Sequence, residues 1–352
     1  MTDTPDQASD PTGPDTATLD DIRRLLVDMP GPDLEAGVAA VAREGQLTKP
    51  ADSLGRLEEI SHWLCLWQGR YPPRADHARV CVFAGNHGVA SRGVSAYPSE
   101  VTAQMVQNFV AGGGAVNQLA ALADADLRVY EMALEQPTAD FTEGPAMDDG
   151  ECARAIAYGM MAVEDNIELL ALGEMGIGNT TAAAAICHAL LGGEASDWAG
   201  PGTGVAGAVL DTKIAVVSAG VAANKAEMSD PLNVLRCVGG HEIAAITGAV
   251  IAARVARIPV LLDGYACTAA AAVLHAIDPA LIDHCLVAHL SAEPAHRDLA
   301  QRLGKRPLLD LDMRLGEASG AALAINIVRA AVACHVGMAT FDEAAVSGRS
   351  AT

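Results

Sequence analysis

Aromatic residues and positive charges are both scarce in this sequence. Phe, Tyr and Trp make up 3% of the 352 residues, whereas hydrophobic residues make up 51%, so the core must be largely aliphatic. Only 23 Lys and Arg stand against 44 Asp and Glu, which gives a net charge of −21. Such a surface repels phosphate backbones and anionic lipids, so we expect neither nucleic acid nor a membrane as a partner. A small phosphorylated ligand needs only local positive potential and stays compatible with this charge.

The eight cysteines and ten histidines lack the spacings of disulfide frameworks and metal sites. There is no Cys-x-x-Cys pair and no His-Glu-x-x-His motif. Most cysteines lie in apolar runs such as VCVFAG, which is typical of small buried side chains in a reducing compartment. We therefore expect a cytoplasmic protein without a metal ion or another cofactor.

Targeting and membrane signals are also missing. Residues 1–18 are acidic and rich in Thr and Pro, which predicts a disordered tail. This segment lacks the basic and apolar regions of a signal peptide. No run of about 18 uncharged apolar residues predicts a membrane span.

Strand-like and helix-like segments alternate through most of the chain. This alternation predicts an α/β fold, with a parallel sheet flanked by helices in a Rossmann-like three-layer arrangement. The predicted strands are 79–83, 127–132, 168–173, 258–263 and 285–290. In such sheets ligands bind beyond the carboxyl ends of the strands. The polar segments AGNHGVASRGVSAYP, GEMGIGNTT, DGY and HLSAE follow those ends, which predicts one shared site.

The segment GEMGIGNTT places three glycines at the start of an alanine-rich helix. It is neither a Walker A loop nor a Gly-x-Gly-x-x-Gly motif. Glycines such as Gly176 let backbone N–H groups approach an anion, and the helix N-terminus adds positive potential. Asn179 or Thr180 can cap the helix and donate to a phosphate oxygen. An ordinary glycine-rich turn with an Asn or Thr cap would have the same composition.

A second glycine cluster, residues 200–204, precedes a helix that carries Lys213. This lysine could supply the full charge that a phosphate needs, or it could be a solvated surface lysine. Glu174 would repel a phosphate, so it is better suited to accept hydrogen bonds from sugar hydroxyls. Together these residues favour a ribose phosphate as the ligand.

Glu317 lies in MRLGEASGAALAI, where it opens a long apolar helix. An acidic residue is common at a helix N-terminus because the dipole stabilises it. The alternative is a general base, partly desolvated by Met313 and Leu315.

Eight motifs in this order resemble those of the nicotinate-nucleotide–dimethylbenzimidazole phosphoribosyltransferases, from about residue 20 to about residue 345. They are GNHGV, GVSAYP, GPAM, GEMGIGNTT, VGGHEIAAITGA, PVLLDGY, HLSAE and MRLGEASGAAL. The resemblance implies transfer of phosphoribose from nicotinate mononucleotide to a benzimidazole, without a metal, by a homodimer. It also implies a large α/β domain, residues 76–312, and a small helical domain formed by residues 19–75 and 313–352.

The resemblance also implies a role for individual residues. Glu317 becomes the general base. The residues that it implies for binding the phosphate and ribose of the nucleotide are Glu174, Gly176, Asn179, Thr180, Gly202, Thr203, Lys213 and Ser291. The pocket that it implies for the acceptor base is formed by Tyr97, Met313 and Leu315, with Asn86 nearby.

Three departures from the family pattern concern the acceptor side. Asn86 stands where the family usually has Asp, Glu131-Met-Ala133 replaces Asp-x-Gly, and QPTADFTE replaces a basic, glycine-containing stretch. Two alternatives therefore stay open. One is a transferase for another acceptor, such as a purine or a phenol, and the other is a nucleotide-binding homologue without catalysis.

Overall fold

The computed structural model describes residues 17–348 and is built around one five-stranded parallel sheet. The strands are β1 (Ala78–Ala84), β2 (Asp126–Glu131), β3 (Leu169–Met175), β4 (Val260–Leu262) and β5 (Cys285–Val287), in the spatial order β2-β1-β3-β4-β5. This confirms the predicted α/β fold. Most of the predicted N-terminal tail lies outside the described residues.

The sheet is covered on both faces because successive side chains of a strand point in opposite directions. On β1, Val80 and Val82 face one core, whereas Cys81 and Phe83 face the other. All four side chains are fully buried. Their nearly continuous apolar sequence is typical of parallel strands buried on both sides.

The first helical layer combines the two ends of the chain. Its helices are α2 (Leu34–Glu44), α3 (Arg56–Gln68), α4 (Glu100–Val110), α5 (Ala115–Leu122) and α14 (Ser319–Gly337). Helix α14 packs against α3, α5 and β3, and α2 packs on the outside of α3. The division of the chain into a large and a small domain stays a prediction.

The other face of the sheet carries the remaining helices. They are α1 (Leu19–Leu26), α6 (Asp149–Met161), α7 (Asn179–Leu191), α8 (Ala195–Trp198), α9 (Ala208–Asn224), α10 (Pro231–Val238), α11 (His241–Val255), α12 (Tyr265–Ile277) and α13 (Ala295–Arg302). Helices α6 and α11 approach backbone to backbone. A Cβ on Gly159 would lie 1.8 Å from the carbonyl oxygen of Ala245, so no larger residue fits there.

Three predicted elements differ from the structure in ways that matter for the site. The predicted strand 285–290 is two strands, because Ala288 separates β5 from β6 (His289–Leu290), which pairs with β7 (Leu309–Asp310). Strand β3 continues to Met175 and therefore includes Glu174. The helix predicted to open at Glu317 begins at Ser319, because Glu317 and Ala318 adopt left-handed backbone angles.

Among residues 17–348, α14 alone has the length and composition of a possible membrane span, although it contains Arg329. A core helix has the same composition, and one side of α14, which includes Ile325 and Val328, is buried in the core beside the sheet.

Candidate functional site

A cavity of about 650 Å³ opens at the carboxyl ends of β3 and β4. Ten of the thirteen residues predicted for the site line it, and they come from five separate segments of the chain. The structure therefore brings together the glycine loop, the GPGTG segment, HLSAE and the residues before α14. Lys213, Asn86 and Met313 do not line the cavity.

The glycine loop forms one wall of the cavity, and α7 starts from it. Gly176 packs so closely that a Cβ would lie 2.5 Å from the carbonyl oxygen of Gly85, and Gly178 adopts φ +99° as the N-cap of α7. Neither Asn179 nor Thr180 caps this helix. Asn179 instead donates from Nδ2 to Oε2 of Glu174, which orients that carboxylate at the cavity surface. The start of α7 thus lies at the cavity without a side-chain cap, and helix N-termini of this kind bind anions.

Lys213 lies behind this wall and is 1% exposed, so it is not a surface lysine. Its Nζ donates to Oγ1 of Thr180 at 2.8 Å and to the carbonyl oxygen of Gly200 at 2.9 Å. It therefore joins the two glycine segments. Burial lowers the pKa of Lys213 to about 8, because the charged amine is desolvated.

Two charged residues beside Gly202 in the cavity wall were not predicted. Glu293 is buried, and its Oε2 accepts a hydrogen bond from the backbone N–H of Gly202 at 3.1 Å. Arg314 lines the cavity and donates from Nη1 to the carbonyl oxygen of Gly202 at 3.1 Å. Both lie inside motifs quoted above, HLSAE and MRLGEASGAAL, and their charge was the available signal.

Glu174 and Glu317 are the two carboxyl groups with raised pKa at the cavity surface. Burial first, and then the nearby charges of Asp263, Glu242 and Glu317, raise the pKa of Glu174 to about 8. Burial, followed by the charge of Asp263, raises the pKa of Glu317 to about 7. A carboxylate with a pKa near neutrality can accept a proton effectively at physiological pH.

The other end of the cavity is apolar and open to solvent. Tyr97 and Leu315 line it and are each 55% exposed. Oγ1 of Thr203 accepts a hydrogen bond from the backbone N–H of Ala96 at 3.1 Å, so the Tyr97 segment is tied to the GPGTG segment.

Two predicted acceptor residues are placed away from the cavity surface. Asn86 donates from Nδ2 to the carbonyl oxygen of Leu134 at 2.9 Å, in the direction of the loop after β2. Met313 contributes its backbone, whose carbonyl accepts from the N–H of Ala292 at 2.8 Å. Their part in acceptor choice stays a prediction.

Metal sites and disulfide bonds are both absent from residues 17–348. No cluster of three or more His, Cys, Asp or Glu side chains there has the arrangement of a metal site. All eight cysteines carry free thiols, and seven of them are buried.

Residues 29–346 match the model of a phosphoribosyltransferase family, DBI_PRT. The chain belongs to this family. Curated members include the nicotinate-nucleotide–dimethylbenzimidazole phosphoribosyltransferases of Brucella canis and Sinorhizobium medicae, each 56% identical to this chain. The match to the Brucella protein covers 94% of this chain and 97% of that protein, and the match to the Sinorhizobium protein covers 94% and 98%.

A solved structure supports the same assignment. The crystal structure of the enzyme of that name from Thermus thermophilus superposes with a TM-score of 0.84 at 42% identity. The match covers 90% of this chain and all of that one. The chain therefore shares both the sequence and the fold of a phosphoribosyltransferase.

Proposed function

We propose that this protein transfers phosphoribose from nicotinate mononucleotide to 5,6-dimethylbenzimidazole, which gives α-ribazole 5′-phosphate and nicotinate. Such a product supplies the lower ligand of cobalamin. The observation that carries the proposal is one cavity with a phosphate-compatible wall at one end, an apolar slot at the other and Glu317 on its surface. Relatives that carry this activity in their names match nearly the whole chain.

The proposed reaction needs one base and no acid. The ring nitrogen of the bound nicotinate is positively charged, and it leaves as a neutral ring when the bond to the ribose breaks. The benzimidazole attacks the opposite face of the same carbon, which inverts the anomeric centre from β to α. Its N–H proton goes to the carboxylate of Glu317.

The remaining predicted residues divide between the two ends of the nucleotide. The phosphate lies against the glycine loop at Gly176 and beside Gly202 and Thr203, with Lys213 supplying charge from behind the wall. Glu174, oriented by Asn179, accepts from the ribose hydroxyls. Thr180 and Ser291 border the same space.

A homodimer is part of the proposal because apolar surface is left uncovered in one chain. Leu34, Val38 and Val41 form a stripe on α2 with 69%, 70% and 60% exposure. Their spacing of four and three residues puts them on one face of the helix. We propose that a second copy covers this stripe, and that each subunit closes the other's acceptor slot over Tyr97 and Leu315.

The dimer is tested by light scattering on the wild type and on Val38→Glu, which places a charge on the stripe. We expect a wild-type dimer, and a Val38→Glu protein that dissociates and binds benzimidazole more weakly. Lys225→Ala, a change on another exposed surface, serves as the control. A fully active wild-type monomer at assay concentration would contradict this part of the proposal.

The activity itself is tested by incubating the purified protein with nicotinate mononucleotide and a panel of acceptors. Nicotinate and the α-ribotide are quantified by chromatography with mass detection. We expect 5,6-dimethylbenzimidazole to react best, related benzimidazoles next, and adenine or phenol slowly. A purine or a phenol that reacts faster would favour the alternative transferase. Tight nucleotide binding without nicotinate release would favour a non-catalytic homologue.

In cells we expect the reaction in the cytoplasm, where free thiols stay reduced.

A further inference from the structure

Glu317 is held in a backbone conformation that it would not choose by itself. Gly316, Glu317 and Ala318 have φ values of +79°, +60° and +59°. The left-handed region costs a residue with a Cβ roughly 1–2 kcal/mol, and glycine avoids this cost. Two consecutive non-glycine residues in that region must therefore be stabilised by their surroundings.

One group that holds them is the carboxylate of Asp263, which follows β4 and is fully buried. Its Oδ1 accepts a hydrogen bond from the backbone N–H of Ala321 at 2.8 Å. The nearby backbone N–H groups of Gly320 and Ala318 oppose the rise that burial causes in the pKa of this carboxyl group. The N-cap residue of α14 is Ala318, which has no side-chain oxygen. Asp263 therefore serves α14 as a cap that comes from a different part of the chain.

The turn is also enclosed on the side of β3. A Cβ on Gly173 would lie 2.2 Å from the backbone nitrogen of Ala318, and a Cβ on Gly316 would lie 2.6 Å from Oε1 of Glu174. The turn therefore packs closely against β3, while Glu317 borders the cavity. A shift of α14 along its axis would move Glu317 out of the cavity.

We propose that Asp263 is a positioning residue, whose buried carboxylate anchors the first turn of α14 and thereby keeps Glu317 directed into the cavity. The role rests on the proposed function insofar as it assigns Glu317 as the base. It does not require contact between Asp263 and the substrate, since Asp263 is not among the residues that line the cavity.

Other charged groups surround this anchor and must be considered in any pH effect. Nε2 of His289 lies 3.5 Å from Oδ1 of Asp263. Glu174 faces the turn from β3, and Glu242 approaches from α11, where it pairs with Nε2 of His87 at 2.7 Å. Removing the charge of Asp263 leaves these groups in place and removes the nearest negative charge that acts on Glu317.

The test compares Asp263→Ala, which removes the anchor, with Asp263→Asn, which keeps an acceptor for the N–H of Ala321 and loses the charge. Asp310→Asn, at an exposed position on β7, is the matched control. For Asp263→Ala we expect kcat to fall roughly 10- to 100-fold, as misplaced catalytic groups do, with KM for nicotinate mononucleotide within about threefold of wild type. For Asp263→Asn we expect a smaller loss, with the acid limb of the kcat profile moved to lower pH.

Hydrogen–deuterium exchange provides a readout that does not depend on turnover. In Asp263→Ala the peptide containing residues 316–323 should exchange faster, while the peptide at the start of α7 stays unchanged. A wild type that is inactive with every acceptor would overturn the proposed function, and the exchange result would still decide the role of Asp263. If Asp263→Ala does not fold, Asp263→Asn decides alone. Wild-type exchange and a wild-type pH profile in that variant would overturn the positioning role.

Discussion

The two ends of the cavity differ in how complete they are. At the end proposed for the phosphate, Lys213 is 1% exposed and links the two glycine segments through Thr180 and Gly200. Glu293 is 4% exposed and links HLSAE to Gly202. At the acceptor end Tyr97 and Leu315 are each 55% exposed. A buried, hydrogen-bonded wall is preorganised and recognises a fixed group. An open apolar slot gains its affinity only when something covers it.

The largest expected effect on kcat comes from replacing Glu317, whose carboxylate lies at the cavity surface. Glu317→Gln keeps the shape of the side chain and removes its ability to take a proton. We expect kcat to fall roughly 10²- to 10⁴-fold, because proton acceptance is lost while the phosphate end is intact. Nicotinate mononucleotide binding, measured by calorimetry, should change little. Near-normal turnover would remove Glu317 from the role of base.

At the phosphate end, Lys213→Ala should weaken nicotinate mononucleotide binding by about 1–3 kcal/mol, as expected for the loss of a charged hydrogen-bonding group. The variant also loses the link between Thr180 and Gly200, so its melting temperature should be measured with it. Lys225→Ala is the matched control, since Lys225 is exposed at the end of α9. Equal affinities in the two variants would show that Lys213 has no part in binding.

The pH dependence of kcat tests whether Glu317 is as desolvated as its position in the cavity implies. The pKa of Glu317 is raised to about 7, so the fraction in the basic form falls as pH drops through that value. Below it kcat should fall about tenfold per pH unit. In a steady-state profile from about pH 4 to pH 9, an acid limb near the ordinary glutamate pKa of about 4.3 would place Glu317 in a solvated environment.

The same raised pKa values affect stability with a defined sign. A carboxyl whose pKa rises on folding favours the folded state most below its unfolded pKa, and this contribution is lost as pH rises through the folded pKa. Glu174 and Glu317 should therefore destabilise the protein progressively as pH rises from the ordinary glutamate pKa of 4.5 to about 8. Glu174→Gln should show a smaller loss of melting temperature across that interval than wild type.

The smallest effect is expected at the open end. Leu315→Ala should raise KM for 5,6-dimethylbenzimidazole a few-fold, because a half-exposed side chain buries little area. KM for nicotinate mononucleotide should stay constant. A change in the nucleotide KM instead would show that the two ends are not separate.

The sequence predicted the strand-end glycine segments and Glu317, since glycine and charge are visible in an apolar chain. It could not predict the left-handed turn, because Glu317 and Ala318 give no glycine signal. The partners Asp263 and Glu293 were missed for another reason. Asp263 accepts from a backbone N–H that is 58 residues away in the chain, and Glu293 accepts from one that is 91 residues away. Helix α12 has no helical periodicity in its sequence, because its alanine-rich residues are buried on all sides as far as Leu274 and leave no polar face.

The close carboxyl groups have a thermodynamic consequence for ligand binding. With pKa values of about 8 and 7, Glu174 and Glu317 carry protons for part of the time in the free protein at neutral pH. A ligand with a cationic ring favours their ionised forms, so its entry expels protons into the solvent, on the order of one per site. The heat of nucleotide binding should therefore depend on the ionisation enthalpy of the buffer, with a slope equal to the number of protons released.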